Sequence, residues 1–103
     1  MSGEFREKVF AAVRKIPAGK VASYGDIAHA AGSPRACRAV GNILHSNPST
    51  ANAPCHRVVR ADGSLAEKFG FGGRSAQAAL LEAEGVLVRA DGKVDMLFYR
   101  YDS

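Results

Sequence analysis

One of the two cysteines in this sequence stands beside residues that can support chemistry. Cys55 lies in the segment APCHRVV, between Pro54 and His56, with Arg57 one position further on. Pro54 restricts the backbone before the cysteine and favours an extended approach, so we expect the thiol at the mouth of a turn. Nearby positive charge lowers the pKa of a thiol and enlarges the fraction of thiolate, the form that attacks electrophiles. The local sequence therefore predicts a nucleophile at Cys55, with an inert buried thiol as the alternative.

The neighbours of Cys55 limit the reaction that its thiol can carry out. A protease-like pair with His56 is a poor fit, because adjacent residues of an extended segment point to opposite sides. A chain of 103 residues also lacks room for the substrate cleft of a larger fold. His56 could still reach the thiol through a water molecule, with Glu84, near the end of a later helix, orienting the imidazole.

The second cysteine, Cys37, lies among small residues of a predicted helix, where we expect it to fill space. A single pair of cysteines in a chain that we expect to be intracellular favours free thiols over a disulfide. The sequence has no C-x-x-C motif, and His29, His45 and His56 are scattered without the spacing of metal ligands. It therefore predicts no metal site, and we expect no cofactor.

The composition is that of one small folded domain. Of 103 residues, 47% are apolar and 23% are charged, so we expect a single domain over residues 1–103. The formal net charge of +4 favours a polyanion as partner if the cations cluster on one face. No apolar run is long enough to span a bilayer, and the start MSGEFREKVF carries charges where a signal peptide is apolar. These features predict a cytoplasmic protein without a membrane segment.

The elements that position the cysteine begin with two predicted helices. Apolar residues at helical spacing predict an amphipathic helix over about residues 4–15; they are Phe5, Val9, Val13 and Ile16. Ser23 stands three residues before Asp26, a spacing typical of a capping box, and Gly32 ends the short helix that this box opens.

A third helix is predicted immediately after the second, in the segment GSPRACRAVGNILHSN. Ser33 is the expected N-cap, and Pro34 takes the first helical position, where its missing N–H costs nothing. The inward stripe comprises Ala36, Val40, Ile43 and Leu44, and another side carries Arg35, Arg38, Asn42 and His45. Two helices joined by a tight turn predict a helix-turn-helix. The arginines lie beside the small residues Cys37, Ala39 and Gly41, and this arrangement favours close approach to a nucleic-acid backbone. An ordinary solvated helix surface is the alternative.

The second half of the chain is predicted to contain turns, one helix and short strands. The pentapeptide VRADG occurs at 59–63 and again at 88–92, and Asp-Gly between strand formers is typical of a hairpin. A glycine-rich loop leads into a helix over about residues 75–84, and the segment GKVDMLFYRY at 92–101 is predicted as a strand. The elements together predict an α+β fold, mostly helical: a winged-helix-like domain with a helix-turn-helix and short C-terminal strands.

In its motifs and their order the sequence resembles the C-terminal DNA-binding domain of the O6-alkylguanine-DNA alkyltransferases, the methylated-DNA–protein-cysteine methyltransferases. The resemblance covers roughly residues 5–88 and rests on the segments IPAGKVASYGDIAHAAG, PRACRAVGNILHSNP, APCHRVV and GGRSAQAALLEAEGV. It implies a DNA repair protein that binds its DNA through the minor groove, flips O6-alkylguanine out of the duplex and transfers the alkyl group irreversibly to a cysteine.

The resemblance also implies roles for individual residues. Cys55 matches the alkyl acceptor, His56 and Glu84 match the water-linked relay that removes its proton, and Asn47 matches the residue bracing the cysteine turn. Arg38 resembles the finger that fills the place of the flipped nucleotide. The implied DNA-binding set is Tyr24, Arg35, Cys37, Arg38, Ala39, Gly41 and Asn42, and the implied substrate pocket is Tyr24, Val58, Phe69, Gly70 and Phe71. Tyr24 would turn the 3′ phosphate and hydrogen-bond the extruded base, and Val58 would offer its backbone carbonyl to the amino group of the base.

The sequence departs from the alkyltransferases in ways that keep a second function open. The chain begins at the first helix of the DNA-binding half, so we expect no N-terminal domain. Its loop AEKFGFGG is about one residue longer than theirs and carries Phe69, Gly70 and Phe71 where the repair enzymes usually have a tyrosine and a serine. Gln77 stands where they often have lysine. The second function is that of a non-enzymatic lesion sensor, similar to the alkyltransferase-like proteins, that recruits excision repair. A third is a DNA-binding module in which Cys55 is incidental.

These hypotheses imply particular partners. The expected partner is double-stranded DNA containing O6-alkylguanine. Under the sensor hypothesis, excision-repair proteins are expected as additional partners. We expect a monomer that is associated with the nucleoid when bound to DNA.

Overall fold

The computed structural model describes residues 3–66, 69 and 71–101. Gly70, one of the predicted pocket residues, lies outside this range. The described elements are, in chain order, α1 (Gly3–Arg14), β1 (Ala22–Ser23), α2 (Tyr24–Ala30), α3 (Cys37–His45), a 3₁₀ turn (Cys55–Arg57), β2 (Val58–Val59), α4 (Gly73–Ala83) and α5 (Met96–Tyr99). The predicted helix-turn-helix and the α-rich α+β class are confirmed. Among the described helices, none has the length and apolar character that crossing a membrane requires.

Helix α1 forms the floor of the main core, because its apolar residues repeat every three to four positions and face one side. Phe5, Val9, Phe10 and Val13 are all buried there, and Ile16 follows them into the core. The same core takes Ile27 and Ala28 from α2 and Val40 and Leu44 from α3. Helix α1 thus fixes the helix-turn-helix by packing against both α2 and α3 in this core.

Helix α2 begins with the predicted capping box. The Ser23 hydroxyl accepts a hydrogen bond from Asp26 N at 3.0 Å, and the Asp26 carboxylate accepts one from Ser23 N at 3.0 Å. The cap satisfies two backbone donors that a helix start otherwise leaves unpaired. Tyr24 is therefore fixed as the first residue of α2.

Helix α3 begins later than predicted. The expectation that Ser33 caps it and Pro34 opens it is wrong, since α3 starts at Cys37 and its N-cap is Ala36. Residues 33–36 instead form a separate turn, closed by Ala36 N donating to Ser33 O at 2.9 Å. Ser33 N donates to Ala28 O at 2.9 Å, so Ser33 is bonded to the end of α2 instead of opening α3. Arg35 consequently lies in the turn and not on the helix.

A two-stranded parallel sheet connects the two halves of the molecule. Ala22 pairs with Val58 and Ser23 with Val59, and all four residues are buried. Strand β1 leads directly into Tyr24, and β2 directly follows the turn that contains Cys55. The pairing thus ties the strand before α2 to the strand after the cysteine turn. Tyr24 and Cys55, 31 positions apart in the sequence, come to line the same cleft.

The C-terminal segment folds differently from the prediction. Both VRADG segments do form turns, but the strand predicted over 92–101 is wrong, because residues 96–99 form helix α5. The reason is local: the Asp95 side chain accepts a hydrogen bond from Leu97 N at 3.0 Å and caps the helix. Pairing in this segment is limited to single bridges such as Val88 with Val94.

Candidate functional site

A cleft of ≈ 720 Å³ opens between the helix-turn-helix and the loop after β2. Predicted site residues that line it are Tyr24, Cys37, Arg38, Gly41, Asn42, Cys55 and Phe69, and the lining also includes Leu44, His45, Arg60 and Ala66. The fold therefore collects, around one cavity, residues from α2, α3, the 3₁₀ turn and the loop. The sequence had placed Leu44 in the core only, and nothing in the sequence pattern singled out Arg60 or Ala66.

Cys55 forms the first residue of the 3₁₀ turn and its side chain borders this cleft. Pro54, at φ −76° and ψ 66°, makes a tight three-residue turn in which Cys55 N donates to Ala53 O at 2.7 Å. This turn replaces the extended approach expected from Pro54. The cysteine is only 6% exposed, and like Cys37 it is a free thiol.

The pKa of Cys55 moves in the direction opposite to the prediction. Burial raises the pKa of the thiol above its ordinary value of 9.0, while hydrogen bonds from Asn47 and from the backbone of Cys55 itself act more weakly in the opposite direction. The expected lowering by neighbouring cations fails because Arg57 turns away and bonds Glu84 and the carbonyl of Ile16. At neutral pH the thiol is therefore protonated, and a nucleophilic role requires removal of its proton.

Asn47 is a buried residue directly after α3 that ties down the segment before the cysteine. Its Nδ2 donates to Ala53 O at 2.9 Å, and its Oδ1 accepts from Asn52 Nδ2 at 2.9 Å. A buried amide bonded at both ends holds the backbone around it in one arrangement. Asn47 therefore braces the entry to the turn that contains Cys55.

His56 and Arg57, the two residues of that turn after Cys55, form a compact charged cluster with Glu84. The Glu84 carboxylate lies 3.0 Å from His56 Nε2 and accepts from Arg57 Nε at 2.8 Å and Nη2 at 2.6 Å. Hydrogen bonding to Arg57 is the main cause that lowers the pKa of Glu84, and His56 adds to it. Because a carboxylate only accepts hydrogen bonds, Nε2 of a neutral His56 carries the hydrogen, which leaves Nδ1 as the basic nitrogen. Nδ1 is buried and bonds no described residue.

Gln77, on α4, has a structural position that the sequence did not reveal. Its side chain is completely buried and bonds three backbone groups: Oε1 accepts from Ala66 N at 2.8 Å, and Nε2 donates to His56 O and Val58 O at 3.0 Å each. The Val58 carbonyl, predicted to face the base, is therefore already bonded to Gln77 through one of its two lone pairs.

Tyr24 is half-buried at the start of α2 and faces the cleft. Burial raises the pKa of its phenol, the charge of Arg60 opposes this, and the proximity of Cys55 adds to the increase. The hydroxyl is therefore a protonated donor in the neutral range, within electrostatic reach of the cysteine.

The outward side of α3 and the turn before it form an open, polar surface. Arg35, Cys37, Arg38, Ala39 and Asn42 are exposed. A side chain built on Gly41 would meet nothing within 4 Å, so the protein's own packing does not require glycine there. The exposure of Cys37 shows that the prediction of a space-filling role is wrong.

The loop wall of the cleft carries an aromatic pair. Phe69 is buried and Phe71 is exposed, and their rings meet edge to face with centroids 5.4 Å apart. Across residues 3–66, 69 and 71–101, no three histidine, cysteine or acidic side chains come together in a way that could hold a metal ion.

Comparison with known families and proteins gives a consistent assignment. Residues 4–86 match the model of the 6-O-methylguanine DNA methyltransferase, DNA binding domain. The DNA base-flipping protein of Escherichia coli (strain K12) is 42% identical over 98 residues, which is 95% of this chain and 74% of that protein. The methylated-DNA–protein-cysteine methyltransferase of Mycobacterium leprae is 44% identical over 82 residues, 79% of this chain and 48% of that protein. The chain thus spans about half the length of that methyltransferase.

Solved structures extend the similarity to the whole fold. The structure of S. pombe Atl1 in complex with damaged DNA containing O6-carboxymethylguanine superposes with a TM-score of 0.86 at 32% identity, covering 100% of this chain and 99% of that one. The O6-methylguanine methyltransferase of Mycobacterium tuberculosis superposes with a TM-score of 0.70 at 42% identity, covering 82% of this chain and 50% of that one.

Proposed function

Because the chain belongs to the family of the 6-O-methylguanine DNA methyltransferase DNA-binding domain, we propose that it binds duplex DNA carrying O6-alkylguanine and accepts the alkyl group on Cys55. The observation that carries this proposal is the placement of Cys55 on the wall of an open cleft, with the His56–Glu84 pair held beside it. An inert structural cysteine needs neither an open cavity nor an adjacent buried base.

The exposed side of α3 supports binding of the DNA. Arg35 and Arg38 project from the helix-turn-helix where no described side chain bonds them, so they are available to phosphates. Gly41 and Ala39 leave little side-chain bulk between α3 and a duplex.

The reacting guanine has to leave the duplex to enter the cleft. Unstacking a base costs a few kcal/mol, and a side chain placed in the gap recovers part of that cost. Arg38 stands at the edge of the cleft and is the side chain suited to fill the gap. Tyr24, which also lines the cleft, is the donor suited to the extruded nucleotide.

The transfer itself is a displacement at the alkyl carbon. A bond forms between Cys55 Sγ and that carbon while the bond from the carbon to O6 of guanine breaks, and the electron pair of the broken bond stays on the base. The thiol proton passes through water to Nδ1 of His56, whose charged form is stabilised by Glu84, and a proton returns to the departing guanine. The products are a thioether and an ordinary guanine. Because a thioether is a poor leaving group, each molecule reacts once.

Mass spectrometry tests the proposal. After incubation with a duplex containing O6-methylguanine, we expect the protein to gain about 14 Da, one CH2 unit, on the peptide that contains Cys55. Cys37→Ser should gain the same mass, since its thiol plays no part in transfer, and Cys55→Ser should gain none. An unmodified protein recovered from a saturating excess of lesion would contradict the proposal.

A second function is favoured by two observations, the full-length superposition on Atl1 and the buried, protonated state of the thiol. In this function the protein binds O6-alkylguanine without repairing it and presents the lesion to excision-repair proteins. The duplex recovered from the complex should then still carry its alkyl group, while the affinity for damaged DNA exceeds that for undamaged DNA. Equal affinity for both duplexes would contradict both functions.

A further inference from the structure

Gln77 is a fully buried amide whose hydrogen-bonding groups are all used within the protein. Burying an amide is unfavourable unless its polar atoms are bonded, and here Oε1 has one partner and Nε2 has two. Those partners are the backbone groups of Ala66, His56 and Val58. Of these groups only the Val58 carbonyl belongs to the expected substrate pocket, and the Gln77 side chain itself is part of neither the reaction nor the DNA-binding surface described above.

The three bonds join segments that meet at the cleft. His56 and Val58 flank the end of the turn that begins with Cys55, while Ala66 lines the cleft on the loop side. From Ala66 the bonding continues, because Phe69 N donates to Ala66 O at 3.3 Å and Gly73 N donates to Phe69 O at 2.9 Å. The loop wall is thus bonded both to the cysteine turn and to the start of α4.

We propose that Gln77 is a positioning residue that fixes the loop wall formed by Ala66 and Phe69 relative to Cys55 and thereby sets the size of the O6-alkyl group that the cleft admits. The inference rests on the proposed function, since it concerns the substrate of the same cleft. Gln77 itself contacts no substrate; it acts through the backbone that carries the wall and the nucleophile.

The chemistry of the side chain supports this role. An amide supplies one acceptor and two donor hydrogens on a single rigid group, and the site uses one acceptor and two donors. Lysine has three donors and no acceptor, so it could bond the carbonyls of His56 and Val58 but would leave Ala66 N unpaired. Methionine matches the length of glutamine and supplies neither strong donor nor strong acceptor. Comparing the two replacements therefore distinguishes the bond to the loop wall, which both remove, from the bonds to the cysteine turn, which only methionine removes.

The experiment compares Gln77→Lys, Gln77→Met and the parent protein with duplexes containing O6-methylguanine or O6-benzylguanine. We expect Gln77→Lys to raise the benzyl-to-methyl rate ratio by about tenfold, because the loop loses one buried hydrogen bond. The methyl rate of this variant should stay within about threefold of the parent rate. Gln77→Met should shift the ratio in the same direction and also slow methyl transfer by about tenfold, since the cysteine turn loses its two bonds. Glu82→Gln, an exposed change on the same helix, should leave both rates unchanged.

Hydrogen exchange at the Ala66 amide reports the bond directly and needs no DNA. Both Gln77 variants should accelerate that exchange by about tenfold or more. Faster exchange with an unchanged benzyl-to-methyl ratio would overturn the proposal, since Gln77 would then be structural only. If the Gln77 variants fail to fold, Phe69→Ala serves instead, because it removes part of the loop wall without changing the Gln77 amide. It should raise the benzyl-to-methyl ratio in the same direction. An unchanged ratio in Phe69→Ala would also overturn the proposal.

The test also separates this inference from the proposed function. If the parent protein transfers no alkyl group, the ratio is measured as dissociation constants for the same two duplexes, which require binding only. A changed affinity ratio without transfer supports the role of Gln77 and rejects alkyl acceptance by Cys55. Unchanged affinity ratios in all variants reject the role of Gln77.

Discussion

Two regions border the same cleft and use their polar groups in opposite ways. The cysteine network, defined as Asn47, Cys55, His56, Gln77 and Glu84, is largely buried and its members bond one another or nearby backbone. The α3 face, defined as Arg38, Asn42 and His45 of α3 together with Arg35 of the turn before it, is exposed, and no described side chain bonds it. Most buried polar groups are bonded inside the protein, and among the described residues of this network His56 Nδ1 is the exception. Exposed polar groups are available to an external partner.

The two regions therefore contribute to different free energies, the cysteine network to folding and the α3 face to DNA binding. Substitutions in the cysteine network should change folding or the position of reacting atoms, because a partner is left unpaired in a dry environment. Substitutions on the α3 face should leave folding unchanged and alter DNA binding, because these side chains exchange water for phosphate or base. Each prediction below tests that separation.

Glu84→Gln should have the largest effect on stability. Its carboxylate accepts two hydrogen bonds from Arg57 and lies 3.0 Å from His56 Nε2, so we expect the free energy of unfolding to fall by about 2–3 kcal/mol at pH 7. The pKa of Glu84 is lowered in the folded state. Its contribution is therefore complete above the ordinary value of 4.5 and is lost as the pH falls through the lowered value.

Denaturant unfolding at neutral and acidic pH measures both parts of this prediction. Glu82→Gln is the matched control, since Glu82 is exposed on the same helix, and it should change stability by no more than about 0.5 kcal/mol. An equal loss in the two variants would show that the carboxylate of Glu84 has no special role in the network.

Arg38→Ala should weaken binding to lesion-containing duplex by about tenfold, because the gap left by a flipped base loses the side chain that fills it. The free energy of unfolding should stay within about 0.5 kcal/mol of the parent value, as expected for an exposed site. A fluorescent base analogue at the lesion position reports flipping separately from initial binding.

Arg35→Ala provides the comparison for that experiment. Arg35 lies in the turn before α3 and outside the cleft lining, so its loss should reduce binding to damaged and undamaged duplex by similar factors. If Arg38→Ala lowers flipping and initial binding equally, the finger role of Arg38 is excluded.

The two thiols should differ in reactivity by about tenfold toward a small neutral reagent such as iodoacetamide at pH 7.5, with exposed Cys37 the faster. Burial raises the pKa of Cys55 above 9.0, so the rate at Cys55 should keep rising with pH through and beyond that value. Single-cysteine proteins carrying Cys37→Ser or Cys55→Ser isolate each rate. Comparable rates at neutral pH would show that the cysteine network does not shield its thiol.

Salt dependence is expected to give the smallest difference. A phosphate contact contributes about one unit to the slope of log affinity against log salt concentration. Arg35→Ala should therefore reduce the slope by roughly one unit, whereas Glu84→Gln should leave it unchanged. Titrations of binding by fluorescence anisotropy at several salt concentrations supply the slopes, and a reduced slope for Glu84→Gln would contradict the separation of the two regions.

Features set by short stretches of sequence were predictable. The capping box of Ser23 and Asp26 was predicted from spacing alone, because both of its bonds are made within four residues. The turn chemistry of the VRADG segments is local in the same sense. The start of α3 is an exception. Ser33 and Pro34 are good helix starters, yet α3 starts at Cys37, because residues 33–36 form their own turn and Ser33 N bonds to Ala28 O at the end of α2.

Features set by distant contacts were not predictable. The strand expected over 92–101 gave way to a helix whose Asp95 cap is local. The position of that helix is set by a distant contact, because Val21 N donates to Tyr99 O at 2.9 Å. The sequence marks Gln77 only as a departure from the repair enzymes, since no sequence pattern indicates that one amide bonds three backbone groups up to 21 positions away.

Residue identities and their order by themselves determined the family, the helix-turn-helix and the candidate nucleophile, because those depend on local propensity and on motifs contained in short segments. Only the tertiary structure decided the state of that nucleophile. Arg57, next but one to Cys55, was expected to lower the pKa of the thiol, yet the fold turned it toward Glu84 and buried the cysteine. A pKa depends on desolvation and on the distance to charges in space, and both are fixed by residues that the chain brings together only when it folds.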